Sequence, residues 1–432
     1  MREVISMVLA GGRVEELSVL TLHRPKAAVP FGGQYRIIDF ALSSLMQADI
    51  QRVGVLSLYR PSSLIDHVGV GEPWDMVGRG RGVRILPPYM SAGDLPGDSH
   101  WYHGTADAIF KNLAFVRKFN PRDVMVLSGD HIYGMDFRPL FQQHRETQAD
   151  LTMVVKPFPV PVPGGRFGLA EVDERSRVIG YQEKPEKPRS NLVSLTIYLF
   201  KTEKLLSRLE ENHRFGSAHQ LYSEVIPQMV EKDKVYAFRY SGYWNYARSL
   251  DAFHSANMDL LGEDPSIDPN AWGVRTRKQY LGLGDFPPAR FLGEGGCVDS
   301  VISPGVILEG TVVRSVLSPG VRIEPGARVT DSVLMNDVVV RKGALIEKAI
   351  LDKDVVVGAH AHVGEGKRHL PNEEVSQGFN SGICVVGKNA VVPPKAKIRR
   401  HCVIYPDVSE NDWHELVLKS GTCLRPEKGG WT

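Results

Sequence analysis

Two glycines, Gly11 and Gly12, stand directly behind a short apolar run at residues 4–9. Glycine has no Cβ, so the N–H groups of such a pair can approach anionic oxygens closely, as a phosphate site requires. Ordinary turns use the same pair, so the glycines alone decide little. Two cations follow, Lys26 and Arg36, in RPKAAVPFGGQYRIIDF. They are solvated surface charges or, given the small, apolar and glycine residues around them, part of a folded loop facing a ligand. Asp130, in LSGDHIY, follows another apolar run. A carboxylate at the C-terminal end of a strand can hold Mg²⁺, a cation that prefers oxygen ligands. A turn aspartate capping the next segment is the alternative. Tyr102, Gly104, Thr105 and Asp107 lie together in WYHGTADA, and Gly168 lies in RFGLAEV. Glu183-Lys184-Pro185 follows a strand-like segment. A Glu-Lys pair is usually surface, but in a sugar-phosphate site the Glu accepts from hydroxyls and the Lys holds phosphate.

These residues need elements to position them. Residues 4–9, 51–58 and 124–128 read as buried strands, and residues 104–118 carry apolar side chains three and four apart, the spacing of a helix. Alternating strands and helices imply an α/β domain with a mostly parallel sheet covered on both faces. Ligands then bind at the carboxyl ends of the strands, where Gly11-Gly12 and Gly129-Asp130 both fall.

The second half has another period. Leu317, Leu334 and Leu351 head three aligned segments in which Val321, Val338 and Val355 recur, then Ile323, Val340 and Val357, and Val329, Ile346 and Val363. Ala327, Ala344 and Ala361 fall between them. Val386, Val392, Ile398 and Ile404 continue the six-residue step. Short strands at this step, with Gly and Pro between, predict a parallel β-helix rather than an antiparallel sandwich. A loop at 364–379, with His369 and Pro371, reads as a surface excursion. The domains expected are 1–262, a linker at 263–294 rich in Pro, Gly and Asp, and the β-helix at 295–432.

Composition excludes several classes. Lys plus Arg is 52 and Asp plus Glu is 50, a net charge of +2, which argues against nucleic-acid binding by counterion release. Cys297, Cys384, Cys402 and Cys423 form no CxxC pair, so neither a zinc site nor a redox pair is indicated, and a reducing cytoplasm fits. No signal-peptide pattern opens the chain and no apolar run is long enough to span a bilayer, so no membrane association is expected.

The strings LAGG at Leu9, RPKAAVPFGGQYRIIDFALSS from Arg24, WYHGTADA, LSGDHIY, RFGLAEVDE and QEKP stand in the order and spacing of the ADP-glucose pyrophosphorylase (glucose-1-phosphate adenylyltransferase) family, which the chain resembles over nearly its whole length. The resemblance implies a Rossmann-like nucleotidyltransferase domain followed by a left-handed parallel β-helix, usually in a tetramer. It implies the reaction of ATP with glucose 1-phosphate to give ADP-glucose and pyrophosphate, for glycogen or starch synthesis, under control by metabolites. By resemblance, Gly11, Gly12, Lys26, Thr105 and Asp107 belong to the nucleotide region. Tyr102, Gly168, Glu183, Lys184 and Ser194 surround the sugar phosphate, and Asp130 is a Mg²⁺ ligand.

The chain departs from that pattern where chemistry is done. The family's Gly-Gly-x-Gly-x-Arg-Leu reads Gly11-Gly12-Arg13-Val14-Glu15-Glu16-Leu17 here, so Glu16 replaces the catalytic arginine. At ~4 Å and an effective dielectric near 20, each unit charge pair is worth roughly 4 kcal/mol, so the exchange costs powers of ten in rate. The family's Trp-Arg-Asp-Val-Gly-Thr reads Trp244-Asn245-Tyr246-Ala247-Arg248-Ser249, and a phenol takes the place of the second Mg²⁺ ligand. His219-Gln220-Leu221-Tyr222-Ser223-Glu224 replaces His-Asp-Phe-Gly-Lys-Asp, and Thr196 replaces a glycine. The expectation is a regulatory or weakly catalytic subunit that assembles, as a homo- or hetero-tetramer, with a catalytic homologue. An active adenylyltransferase and a stand-alone sensor of nucleotide or sugar phosphate are the alternatives.

Overall fold

The computed structural model describes residues 3–88, 101–278, 286–366, 370–375 and 377–427. The chain forms two compact units: Met1–Gly12 with Ile38–Trp244 and Trp272–Arg275, and Arg13–Ile37 with Asn245–Ala271 and Thr276–Thr432.

The first unit is built on a nine-stranded mixed sheet. Its strands are β1 (Val4–Leu9), β2 (Arg52–Leu56), β3 (Gly82–Leu86), β4 (Asp123–Ser128), β5 (Leu151–Pro157), β6 (Gly168–Val172), β7 (Val178–Glu183), β8 (Leu192–Lys201) and β9 (Val235–Arg239). The order is β7-β6-β8-β4-β1-β2-β3, and β5 joins β8 to β9. The run β4-β1-β2-β3 is parallel, whereas β8 lies antiparallel to β4, β5 and β6. Every residue of β4 is buried, as a strand covered on both faces must be. Ile5 and Met7, Val124 and Val126, and Leu151, Met153 and Val155 repeat at the strand period of two and share one core. The helix expected at 104–118 is two helices, α1 (Thr105–Lys111) and α2 (Leu113–Phe119). The break falls at Asn112, whose side-chain amide donates to Ala108 O (2.8 Å) and to the Tyr102 hydroxyl (2.9 Å), competing with the helical ladder.

In the second unit, residues from 290 onward wind through three parallel sheets, the arrangement of a left-handed β-helix. The aligned residues stack as expected: Leu317 on Leu334 on Leu351, Ile323 on Val340 on Val357, and Val329 on Ile346 on Val363. Val386, Val392, Ile398 and Ile404 extend these rungs. The corners need left-handed backbone, and Gly320, Asp337, Asp354, Asn389 and Asp407 supply it with φ between 60 and 78°. Asp and Asn tolerate that region because their side chains bond locally. In the loop at 364–379, Phe379 is buried and packs on His401, with ring centroids 5.0 Å apart, so this end of the expected excursion is anchored. His369 lies outside the described residues. Among the described residues no helix is long and apolar enough to cross a membrane.

Candidate active site

In the first unit the strand ends place several of the expected residues. Gly11 follows β1 where a Cβ would meet Leu58 N at 2.8 Å, so the position admits only glycine. Gly12 faces open space. Asp130 follows β4, where its Oδ1 accepts from the Ser128 hydroxyl and lies 3.4 Å from His131 Nε2. The Trp244 indole N–H points to His131 Nδ1 at 3.3 Å.

A second group gathers on β6, β7 and β8. The Tyr181 hydroxyl donates to Glu183 Oε2 (2.9 Å), and Lys184 Nζ lies 3.7 Å from Glu183 Oε1. Burial holds the Glu183 carboxyl above its ordinary pKa, against the opposite pull of Tyr181 and Lys184. A Cβ on Gly168 would collide with the Tyr181 hydroxyl and Glu183, so this glycine makes room for both. Ser194 Oγ and the Tyr198 hydroxyl are 3.0 Å apart. Between Ser194 and Tyr198 the pairing of β8 with β5 shifts register, and Thr196 sits there at φ +55°. A β-branched residue in that region is strained, which explains the family's glycine.

Three further expected residues have structural bonds. The Tyr102 hydroxyl donates to Leu86 O (3.0 Å). The Thr105 hydroxyl donates to Gln220 Oε1 (3.1 Å) and accepts from Leu221 N–H (2.9 Å). Asp107 accepts from His103 N–H (2.9 Å) and pairs with Lys111 at 3.1 Å. The start of α1 is covered: His219 O accepts from the N–H groups of Ala106 (2.9 Å) and Asp107 (3.3 Å).

The second unit holds three of the replaced positions, Val14, Glu16 and Tyr246. Val14 is extended, φ −118° and ψ 108°, so no left-handed turn forms there, and residues Glu15–Thr21 fold into 3-10 turns kinked at Ser18. Arg248 Nε donates to Glu16 Oε1 (2.7 Å) and its Nη1 to the Tyr246 hydroxyl (2.8 Å). Buried Lys26 donates to the Tyr246 carbonyl and lies 4.3 Å from the centre of the Tyr246 ring. Burial works against the Arg248 charge, yet Tyr246 and Glu16 outweigh it and hold the guanidinium above its ordinary pKa. Glu16, Tyr246, Arg248 and Lys26 thus form one network. Sequence reasoning assigned no role to Arg248. Its signal was a new cation in the same six-residue string that lost an acid.

The same unit carries a cationic cluster. Arg24 pairs with Asp352, both buried, and the Lys353 N–H donates to Asp352 Oδ1 (2.7 Å). Burial, with Arg36 and Arg24 acting the same way, pushes the Lys353 ammonium down to about 7, and Lys388 adds to this.

In the second unit a phenol stands at position 246, so that position supplies no carboxylate for Mg²⁺. Position 246 offers a phenol oxygen already accepting from Arg248.

Comparison with known proteins agrees with this layout. The nucleotidyl transferase family matches residues 5–263, and the GlmU-like C-terminal hexapeptide family matches residues 287–386. A glucose-1-phosphate adenylyltransferase of Thermomicrobium roseum is 43% identical over 432 residues, covering 99% of this chain and 98% of its own. Those of Acetivibrio thermocellus and Thermotoga neapolitana are 37% and 40% identical, covering 100% and 99% of this chain and 99% and 100% of theirs. With a nucleotidyl transferase domain, a hexapeptide β-helix and such relatives along its full length, the chain belongs to the glucose-1-phosphate adenylyltransferase family.

Proposed function

We propose that this chain is a regulatory or weakly catalytic subunit of a cytoplasmic ADP-glucose pyrophosphorylase in glycogen synthesis, assembling as a tetramer with a catalytic homologue. The network of Glu16, Arg248, Tyr246 and Lys26 carries this reading. Transfer of an adenylyl group to glucose 1-phosphate depends on cations that meet the charge spreading over the triphosphate. Here the arginine is replaced by an acid, the guanidinium nearby is bonded to that acid, and the Lys26 ammonium donates to a backbone carbonyl. The groups on β6, β7 and β8 that resemble the sugar-phosphate site are kept, which supports ligand binding without fast chemistry.

Regulation needs an effector site, and the cluster of Arg24, Arg36, Lys353 and Lys388 supports one for a sugar phosphate. Burial first, and then Arg36 and Arg24, weaken the hold of Lys353 on its proton, and an anion bound beside it strengthens that hold. Coupling to a catalytic partner then requires that the effector favour one of two conformations.

One observation favours an active adenylyltransferase instead: Arg248 brings a guanidinium into the string that lost the aspartate. Pyrophosphate release decides, measured with ATP, glucose 1-phosphate and Mg²⁺. No turnover alone, with altered activity of an added catalytic homologue, is the expected result. Robust turnover by the chain alone refutes the regulatory reading.

A further inference from the structure

The first unit has a cleft at the end of its sheet opposite Gly11, Gly12 and Asp130. Gly11, Gly12 and Asp130 follow the C-terminal ends of β1 and β4, whereas this cleft opens where β1 and β2 begin, at Val4 and Arg52. A six-residue strand separates the two ends by ~20 Å. The cleft has a volume of about 400 Å³ and is lined by Arg52, Arg79, Gly80, Arg81 and Asp49.

The turn that builds it is specific. Arg81 N–H donates to Gly78 O (3.2 Å), and Gly80 at the third position has φ +79°, the left-handed value that a type II turn reserves for glycine. Open space lies beside Gly80. The GRGRG string thus folds two arginines into one tight turn at the cleft wall. Arg52 is ordered from the other side: its Nε donates to Gly80 O (2.9 Å), and its guanidinium lies 4.9 Å from the Phe119 ring centre. Among the described residues neither Arg79 nor Arg81 has a carboxylate within ion-pair distance. Asp49 is the one acid on the wall, and it accepts from the Gln51 side chain at 2.8 Å. Three guanidinium groups against one carboxylate leave the cleft cationic. Arg79 and Arg81 are both exposed, so a ligand in the cleft reaches their guanidinium groups without displacing protein.

We infer that this cleft binds a small metabolite bearing two or more phosphate groups. The guanidinium fork matches phosphate oxygens two at a time, and the volume suits a compact ligand rather than a single ion. The site is separate from the groups assigned to the transferase reaction, so it stands or falls independently of the regulatory reading.

Inorganic pyrophosphate titrated into the full chain by calorimetry tests this. Arg79→Gln with Arg81→Gln is expected to remove one binding event or weaken it about tenfold or more, as loss of charge-assisted bonds to phosphate requires. Arg117→Gln with Arg214→Gln, exposed cations that do not line the cleft, is expected to leave the isotherm unchanged. Should the double variant melt early, Arg79→Gln alone is expected to give a smaller shift in the same direction. An isotherm equal to that of the unaltered chain, equal weakening in both double variants, or no pyrophosphate binding at all overturns the inference.

Discussion

Restoring the family's arginine at position 16 is expected to fail unless Arg248 is removed as well. Arg248 Nε stands 2.7 Å from Glu16 Oε1, with side chains 34% and 31% exposed. A pair this exposed attracts by about 0.5–1 kcal/mol, and two like charges at the same spacing repel by a similar amount. Glu16→Arg alone therefore destabilises by about 1–2 kcal/mol, and adding Arg248→Gly recovers most of it. Thermal melts of the two single variants and their combination give this coupling directly. Activity is expected to follow the same logic. Pyrophosphate release should rise more in Glu16→Arg, Tyr246→Asp, Arg248→Gly than in the first two changes alone, because only the triple variant leaves the new guanidinium without a like charge beside it. A Glu16→Arg variant that melts with the parent, or a combination no more stable than Glu16→Arg, refutes the reasoning.

Thr196→Gly is expected to stabilise by roughly 1 kcal/mol in thermal melts, since relief of the strain at φ +55° outweighs the entropy glycine adds to the unfolded chain. Gly11→Ala is expected to destabilise by about 1–3 kcal/mol, because its Cβ would press on Leu58 N from 2.8 Å and backbone cannot swing aside, and the melting midpoint reports it. Lys353 has a lower pKa folded than unfolded, so the unfolded chain binds more protons between about pH 7 and the ordinary lysine range. Stability therefore rises with pH across that window, and Lys353→Met should flatten the rise in melts recorded at successive pH values. Arg24→Met leaves the buried Asp352 carboxylate without its cation and is expected to cost about 3–5 kcal/mol, more than Arg24→Met with Asp352→Asn.

The β-helix was legible almost residue by residue, because each rung repeats a local pattern: Leu317, Leu334 and Leu351 are spaced alike and stack alike. The first sheet was legible in β1, β2 and β4, whose apolar runs stand alone in sequence. Of its antiparallel strands β7 was legible as the strand-like segment before Lys184, but β8 was not, since it pairs with β4, β5 and β6 through contacts that no local period announces. The break at Asn112 was missed because apolar spacing continues across it, and only the side-chain bonds to Ala108 and Tyr102 end the first helix. At the candidate site, residue types were readable but partners were not. Glu16 could be recognised as an intruder, yet Arg248 lies far along the chain, and charge alone does not say which acid a cation meets.

The corners of the β-helix bear on how such a chain changes length. Leu334 pairs with Leu351, and Leu351 pairs with Val386, so this sheet keeps its rungs although residues 364–379 intervene, while the neighbouring sheet shifts register between Val363 and Glu365, where the segment begins. Closing a longer loop between fixed ends costs little, only about 0.6 kcal/mol for each doubling. A corner is thus a place where new sequence can be spliced in while the stacked rungs on the far side keep their partners. The solenoid can therefore acquire segments by insertion at its edges, at the cost of a local register shift and with a new anchor such as Phe379 on His401.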